Sequence, residues 1–105
     1  MATGTIKKQY DPQIIVKQYT STYSIAASGN ATVSLTDLTD SNNQPFSIPT
    51  GYSIAGVVRC TSGDSNIVMR GYDINSSNGG LYFTNLASSA ASSKKASLDV
   101  VFIRN

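Results

Sequence analysis

The chain has 105 residues and a net charge of +2, with no His, no Trp and a single Cys. A chain of this length is expected to form one domain, and its 40% hydrophobic content argues against disorder along its whole length. Only 13% of the residues are charged, and neither basic pair, Lys7-Lys8 or Lys94-Lys95, is interleaved with aromatic residues, which argues against a nucleic-acid groove.

The first predicted element is a polar N-terminal arm over residues 1–12, which leaves a single domain over residues 13–105. A strand is predicted over residues 13–19 from an apolar triplet, and another over residues 19–27 from alternating polar and apolar positions. Both segments are extended in character, and neither has the spacing of an amphipathic helix.

Strict alternation is clearest over residues 31–36, which read ATVSLT. A period of two places every second side chain on the same face of a strand, so six or seven short segments of this kind predict an all-β chain. Between the strand predicted over residues 19–27 and this segment, Ser28-Gly29-Asn30 is a turn signal. It predicts a β-hairpin that joins the strand over residues 19–27 to a strand over residues 31–35.

The most apolar middle strand is predicted over residues 52–60. Its alternation gives two apolar faces, made by Tyr52, Ile54, Val58 and Cys60 and by Ala55 and Val57. Further strands are predicted over residues 66–74 and 81–86, with a flexible connection between them. The Ala- and Ser-rich residues 87–95 are predicted to form a loop, because they carry no amphipathic stripe.

The last predicted strand spans residues 96–104 and is apolar on both faces. Leu98, Val100 and Phe102 point one way, and Val101 and Ile103 point the other way. A small monomer has little protein with which to cover the second face, so we expect another subunit or the N-terminal arm to cover it. The candidate oligomer interface is Val57, Val101 and Ile103.

The residue types argue against an enzyme. Without His, Ser-His-Asp triads, Cys-His pairs and most zinc sites are excluded. Asp64 and Asp73 flank one predicted strand and are the acids that a hydrolase would have to use, but Asp in such turns usually bonds to its own backbone. Neither Asp40-Ser41-Asn42 nor Asp64-Ser65-Asn66 supplies a complete calcium ligand set. We therefore expect no catalytic residues, no metal and no cofactor.

Cys60 is the single cysteine, so no disulfide can form within the chain. It lies in an apolar run and is predicted to be a small buried hydrophobe. A free thiol in so short a chain favours assembly in a reducing cytoplasm. Residues 1–20 lack the apolar segment of a signal peptide, and no apolar run approaches the roughly 20 residues of a membrane span.

Tyrosines and polar side chains gather around one predicted loop. Tyrosine rings stack on sugar faces, and Asn and Asp side chains bond to sugar hydroxyls. The candidate glycan contacts are Tyr72, Asp73, Asn75, Asn78 and Tyr82. The alternative is that these tyrosines only fill strand positions and keep their hydroxyls at the surface.

Four segments between residues 49 and 104 form an ordered series. The first is a proline/glycine turn that leads into an apolar strand, and the second is an Asn-rich strand. The third is an aromatic strand with Asn near its end, and the fourth is a β-branched last strand. They are Pro49-Thr50-Gly51-Tyr52 with Ile54, Gly56, Val57 and Val58, then Asn66-Ile67-Val68, then residues 81–86 (LYFTNL), then residues 98–103 (LDVVFI). This pattern resembles the small C-terminal domains of phage tail-fibre, head-fibre and baseplate proteins.

The resemblance implies an antiparallel β-sandwich or jelly roll of about seven to eight short strands, assembled as a homotrimer on the virion exterior. It implies a structural protein of a bacteriophage, in a fibre, a baseplate or a capsid decoration, assembled in the bacterial host cytoplasm. The arm would attach to other virion proteins, with Ile14, Ile15 and Val16 as the particle anchor, and loops would contact host-surface glycan. The alternative is a monomeric carbohydrate-binding module with its sugar site on a sheet face.

Overall fold

The computed structural model of the chain describes residues 12–76 and 78–105. These residues form six strands and one turn of 3-10 helix. In chain order they are β1 (Ile14–Ile25), β2 (Asn30–Ser34), the 3-10 turn (Leu35–Asp37), β3 (Tyr52–Thr61), β4 (Ile67–Asp73), β5 (Gly80–Asn85) and β6 (Ala91–Arg104). The predicted arm over residues 1–12 lies outside the described residues, apart from Pro12.

All strand pairs are antiparallel, which confirms the prediction of an all-β chain. The first sheet has the order β1-β6-β3, and the second sheet has the order β2-β5-β4. The described residues form six strands rather than seven or eight, because the segments predicted separately over residues 13–19 and 19–27 are one strand. β1 pairs with β6 along its whole length, which keeps both segments in the same sheet.

The predicted hairpin between β1 and β2 is wrong, because these strands belong to different sheets. The backbone of the connecting turn is bonded to the end of β5. Ser28 N–H donates to the Ala87 carbonyl at 2.9 Å, and the Gly29 carbonyl accepts from Asn85 N–H at 2.8 Å. These bonds direct the chain into the second sheet, and the turn signal alone does not distinguish this path from a hairpin.

The core lies between the two sheets and draws on every strand. Its buried apolar residues are Tyr19, Ile25, Val33, Leu35, Leu38, Tyr52, Ile67, Ile74, Leu81, Phe83, Ala96, Leu98, Val100 and Phe102. Tyr23 of the first sheet stacks on Phe83 of the second, with ring centroids 5.1 Å apart. Phe46, in the loop before β3, packs 5.1 Å from the ring of Tyr19 and joins the same core.

β6 begins at Ala91, so the predicted loop over residues 87–95 is wrong in its second half. Pairing with β1 places Lys94 opposite Tyr23 in the ladder. The ladder is made by backbone groups, so a Ser- and Lys-rich segment joins it wherever a neighbouring strand offers a partner. Ala96, the first fully buried residue of β6, marks where the strand enters the core.

Two β-bulges in β3 exchange the faces that alternation predicts. The register between β3 and β6 shifts at Ala55 and again at Val58, and each extra residue moves its successors to the opposite face. Val57 therefore lies opposite the buried Val100 and packs against the core. The prediction that Val57 points outward with Val101 is wrong for this reason.

Candidate functional site

The outward side of the first sheet carries a group of exposed aliphatic side chains, which we call the apolar face. Its members are Ile14 (56% exposed), Val16 (61%), Val58 (66%), Ile103 (41%) and the half-buried Val101. The ladder sets four of them side by side, with Ile14 opposite Ile103 and Val16 opposite Val101, whereas Val58 is the extra residue of the second β3 bulge. They come from all three strands and lie at one end of the sheet.

A charged row borders the apolar face. Asp99 lies between Gln18 of β1 and Arg59 of β3 in the ladder. Its Oδ1 atom is buried and has no hydrogen-bond partner among the described residues. Buried polar atoms in native proteins are nearly always hydrogen-bonded, so this oxygen is one that a donor from beyond the described residues would satisfy.

The structure brings two separately predicted groups together on the apolar face. Val101 and Ile103 were predicted as an oligomer interface, and Ile14 and Val16 as a particle anchor. Ile15, the third predicted anchor residue, lies on the opposite side of β1 and packs against the core. Sequence alone missed this grouping, because the pairing of β1 with β6 is not encoded in any local pattern.

The predicted glycan contacts do not form one surface. Tyr72 pairs with the buried Leu81, whereas Tyr82 pairs with Gly71, so the two tyrosines point to opposite sides of the second sheet. Tyr72 is 47% exposed because it lies on the edge strand β4. Asp73 accepts a hydrogen bond from Asn75 N–H at 3.0 Å, so this pair closes a turn. Asn78 is exposed in the same connection.

Tyr82 instead lies at the centre of the outward side of the second sheet, which we call the tyrosine face. Thr32 of β2 and Gly71 of β4 lie directly opposite it on its two sides. The Arg70 guanidinium carbon lies 6.0 Å from the centre of the Tyr82 ring. One row further along β5, Thr84 Oγ1 donates to Asn30 Oδ1 at 2.7 Å.

Asp40 and Asp64 have structural partners in turns. Asp64 Oδ1 accepts from Asn66 N–H at 2.7 Å and its Oδ2 lies 3.0 Å from Lys94 Nζ. The bond from Asn66 lowers the pKa of Asp64 below its ordinary value, and the ion pair with Lys94 lowers it further. In the same way, Asp40 accepts from Gln44 N–H at 3.0 Å, which lowers its pKa. These bonds agree with the prediction that such acids are turn formers.

Cys60 is half-buried and packs against the core, as its apolar surroundings predict. Burial raises the pKa of its thiol to about 11, so the thiol is protonated at neutral pH. No three Cys, Asp or Glu side chains gather as a metal-binding group anywhere in residues 12–76 and 78–105. Over the same part of the chain, there is no helix with the length and apolar character needed to span a membrane.

Comparison with protein-family models, with curated proteins and with solved structures gives no match for this chain. Its two surfaces are therefore interpreted from their own geometry and chemistry.

Proposed function

We propose that this chain is a structural module on the exterior of a bacteriophage particle, and that it assembles as a homotrimer through the apolar face. The observation that carries the proposal is the concentration of exposed aliphatic side chains on one side of one sheet. Ile14, Val16, Val58 and Ile103 are each between 41% and 66% exposed, and Val16 lies opposite Val101 in the ladder. Soluble monomers seldom leave a contiguous apolar patch of this kind uncovered.

The central strand explains why a single copy leaves this face uncovered. In β6, Val100 and Phe102 are fully buried against the second sheet, while Val101 and Ile103 point to the other side. One layer of protein can cover only one of these sides. The orphan Oδ1 atom of Asp99 at the border of the same face is a second sign that the surface is completed by another molecule.

A second and third copy of the chain are the proposed cover. Three-fold assembly buries the apolar face in every copy and hides the edge of β3, beyond which the described residues place no further strand in the first sheet. Within each copy, the two sheets would be the layers of a β-sandwich, in the jelly-roll manner of the phage fibre domains that residues 49–104 resemble. Residues 1–12 would connect the module to other virion proteins.

The low charged fraction of 13% and the free Cys60 are consistent with this proposal. A neutral surface rich in Ser, Thr and Asn limits non-specific attraction to charged partners. A free thiol fits a protein that is made and assembled in the reducing cytoplasm of a bacterial host. Loops presented in triplicate would give weak contacts with host-surface glycan the benefit of avidity.

A monomeric carbohydrate-binding module is the second candidate function. The observation that favours it is the tyrosine face, where Tyr82 lies on the outward side of a sheet among hydroxyl and amide side chains. The two candidates differ in what they require of the first sheet. The module would keep the apolar face in solvent, whereas the virion protein would bury it.

Light scattering coupled to size-exclusion chromatography tests the proposal. We expect a mass three times the 11.1 kDa of one chain at micromolar concentrations. A stable mass of one chain would contradict the trimer and favour the carbohydrate-binding module. The genes that flank this one give an independent test, since a virion protein is expected beside genes for capsid or tail proteins.

A further inference from the structure

The tyrosine face has one aromatic ring at its centre rather than at its rim. Tyr82 lies on β5, the central strand of the second sheet, and its outward side chain is half-buried. Directly opposite residues in neighbouring strands have Cβ atoms about 5 Å apart. Thr32 and the Gly71 position therefore both lie within contact distance of a ligand that rests on the ring.

The Gly71 position leaves an open space beside this ring. A Cβ atom added at Gly71 would meet no heavy atom within 4 Å, and the backbone there has no positive φ that requires glycine. Neither backbone strain nor close packing requires a glycine at position 71. Its missing side chain leaves a gap that is one side chain deep. The gap is floored by the backbone of β4 and opens toward the edge of the sheet.

Polar groups of both charges surround the gap. Arg70 is exposed, and its guanidinium carbon lies over the Tyr82 ring, 6.0 Å from the ring centre. Asp73 lies one row away and uses Oδ1 for the Asn75 N–H, which leaves its other oxygen to accept a bond. On the far side, Asn30 accepts from Thr84 through Oδ1, which leaves its amide group to donate.

We propose that the tyrosine face binds a pyranose ring of a carbohydrate, which stacks on Tyr82 and occupies the gap over Gly71. A pyranose ring presents apolar C–H groups on its face and hydroxyls on its rim, so it matches an aromatic ring enclosed by donors and acceptors. A second copy of this chain is a poorer match, because among the described residues the strands of this face offer Val68 as their one exposed large aliphatic side chain, with Leu86 just beyond the end of β5, against four on the apolar face.

This inference rests on the proposed function, because sugar binding serves host attachment only if the chain lies on the exterior of the particle. The binding itself can be measured without that placement. The tyrosine face belongs to the second sheet and the apolar face to the first, so assembly through the apolar face leaves the tyrosine face accessible.

Saturation-transfer NMR on the full chain tests the inference, with the methyl glycosides of glucose, galactose, N-acetylglucosamine and glucuronic acid as probes. We expect saturation transfer to at least one of these sugars. Tyr82→Ala removes the stacking surface and should weaken that binding by about tenfold, which corresponds to about 1.4 kcal/mol. Gly71→Val places a side chain in the gap, at a position where an added Cβ meets no heavy atom within 4 Å, and should weaken binding by at least as much.

Tyr72→Ala is the matched control, because it removes an exposed tyrosine from the opposite side of the same sheet. We expect it to bind as the wild type does. Should Tyr82→Ala fail to fold, as judged by circular dichroism, Gly71→Val decides the question, since an added Cβ at its position meets no heavy atom within 4 Å and the backbone has no positive φ.

The inference is overturned if the wild type shows no transfer to any of the four sugars, or if Tyr72→Ala loses as much binding as Gly71→Val. Its failure is distinct from that of the proposed function. A trimer that binds none of the sugars refutes the carbohydrate site alone, and a monomer that binds one refutes the trimer alone.

Discussion

Replacement of Ile103 by Asp separates the stability of one copy from the stability of the assembly. Ile103 lies opposite Ile14 on the apolar face and is 41% exposed in the single chain. Roughly six tenths of the side chain is therefore covered by its own chain. The remaining surface is covered only if another molecule packs on this face.

The two effects differ in magnitude. Full burial of an Ile side chain is worth about 1.5–3 kcal/mol, so its partial loss costs a single copy roughly 1–2 kcal/mol. The lower strand preference of Asp adds up to about 1 kcal/mol. Since domains of this size are stable by about 5–15 kcal/mol, the Ile103→Asp chain should still fold. At an interface, an unpaired buried charge costs about 3–5 kcal/mol. Since each 1.4 kcal/mol corresponds to a tenfold change in affinity, the dissociation constant should rise roughly 100- to 4,000-fold.

Sedimentation velocity at micromolar concentrations measures the assembly, and thermal circular dichroism measures the fold. We expect Ile103→Asp to sediment as a folded single chain. Ile48→Asp is the control, because Ile48 is 48% exposed but lies in the loop before β3, outside the three strands that form the apolar face. It should keep the mass of the wild type. An Ile103→Asp protein with the sedimentation of the wild-type oligomer would refute the role of this face.

Three further predictions concern single positions. Gly63 has a φ of +81°, and an added Cβ would collide with the carbonyl oxygen of Lys95, so Gly63→Ala should lower the unfolding free energy in urea by at least about 2 kcal/mol. The Cys60 thiol, with a pKa of about 11 against an ordinary 9.0, should react with Ellman's reagent at pH 8 about 100-fold more slowly in the folded than in the unfolded chain. Equal reaction rates in the two states would contradict the raised thiol pKa. The same raised pKa stabilises the fold at pH values below the ordinary thiol pKa, and this contribution to the unfolding free energy should be lost as pH rises from 9 toward 11. The pKa of Asp64 is lowered by the Asn66 N–H, so its contribution is present above the ordinary carboxyl pKa and lost as pH falls below it. The stability difference between wild type and Asp64→Asn should therefore disappear in acid, and a difference that persists there would contradict this assignment.

The strand character of the chain could be predicted from local pattern, and the pairing of strands could not. Alternation over residues 31–36 identifies β2 and its buried Val33 correctly. The same reasoning joins β2 to β1, because a Ser-Gly-Asn turn fits both a hairpin and a crossover between sheets. Bonds from Ser28 and Gly29 to the end of β5 decide between the two, and these partners lie more than 50 residues away in sequence.

The prediction of which side chains share a strand face failed where a β-bulge interrupts the strand. In β3 the extra residues at Ala55 and Val58 turn Val57 into the core and expose its neighbour, and alternation has no signal for this. The strand predicted over residues 81–86 correctly includes Tyr82. The opposite orientation of Tyr72 followed only from its partner across the ladder, Leu81. Residue types thus predicted which side chains are candidates for binding, and register decided which of them share a surface.

The pairing of β1 with β6 also determines how the domain responds to tension. The Gln13 carbonyl accepts a bond from Arg104 N–H at 2.9 Å, so the start of β1 and the end of β6 are immediate neighbours. Ladder bonds run perpendicular to the strands, so a load drawn between these two points would open them one rung after another, beginning at Ile14 and Ile103. The domain should therefore unfold at low force when it is pulled from both of these points. Attachment through only one of them places no load across the ladder.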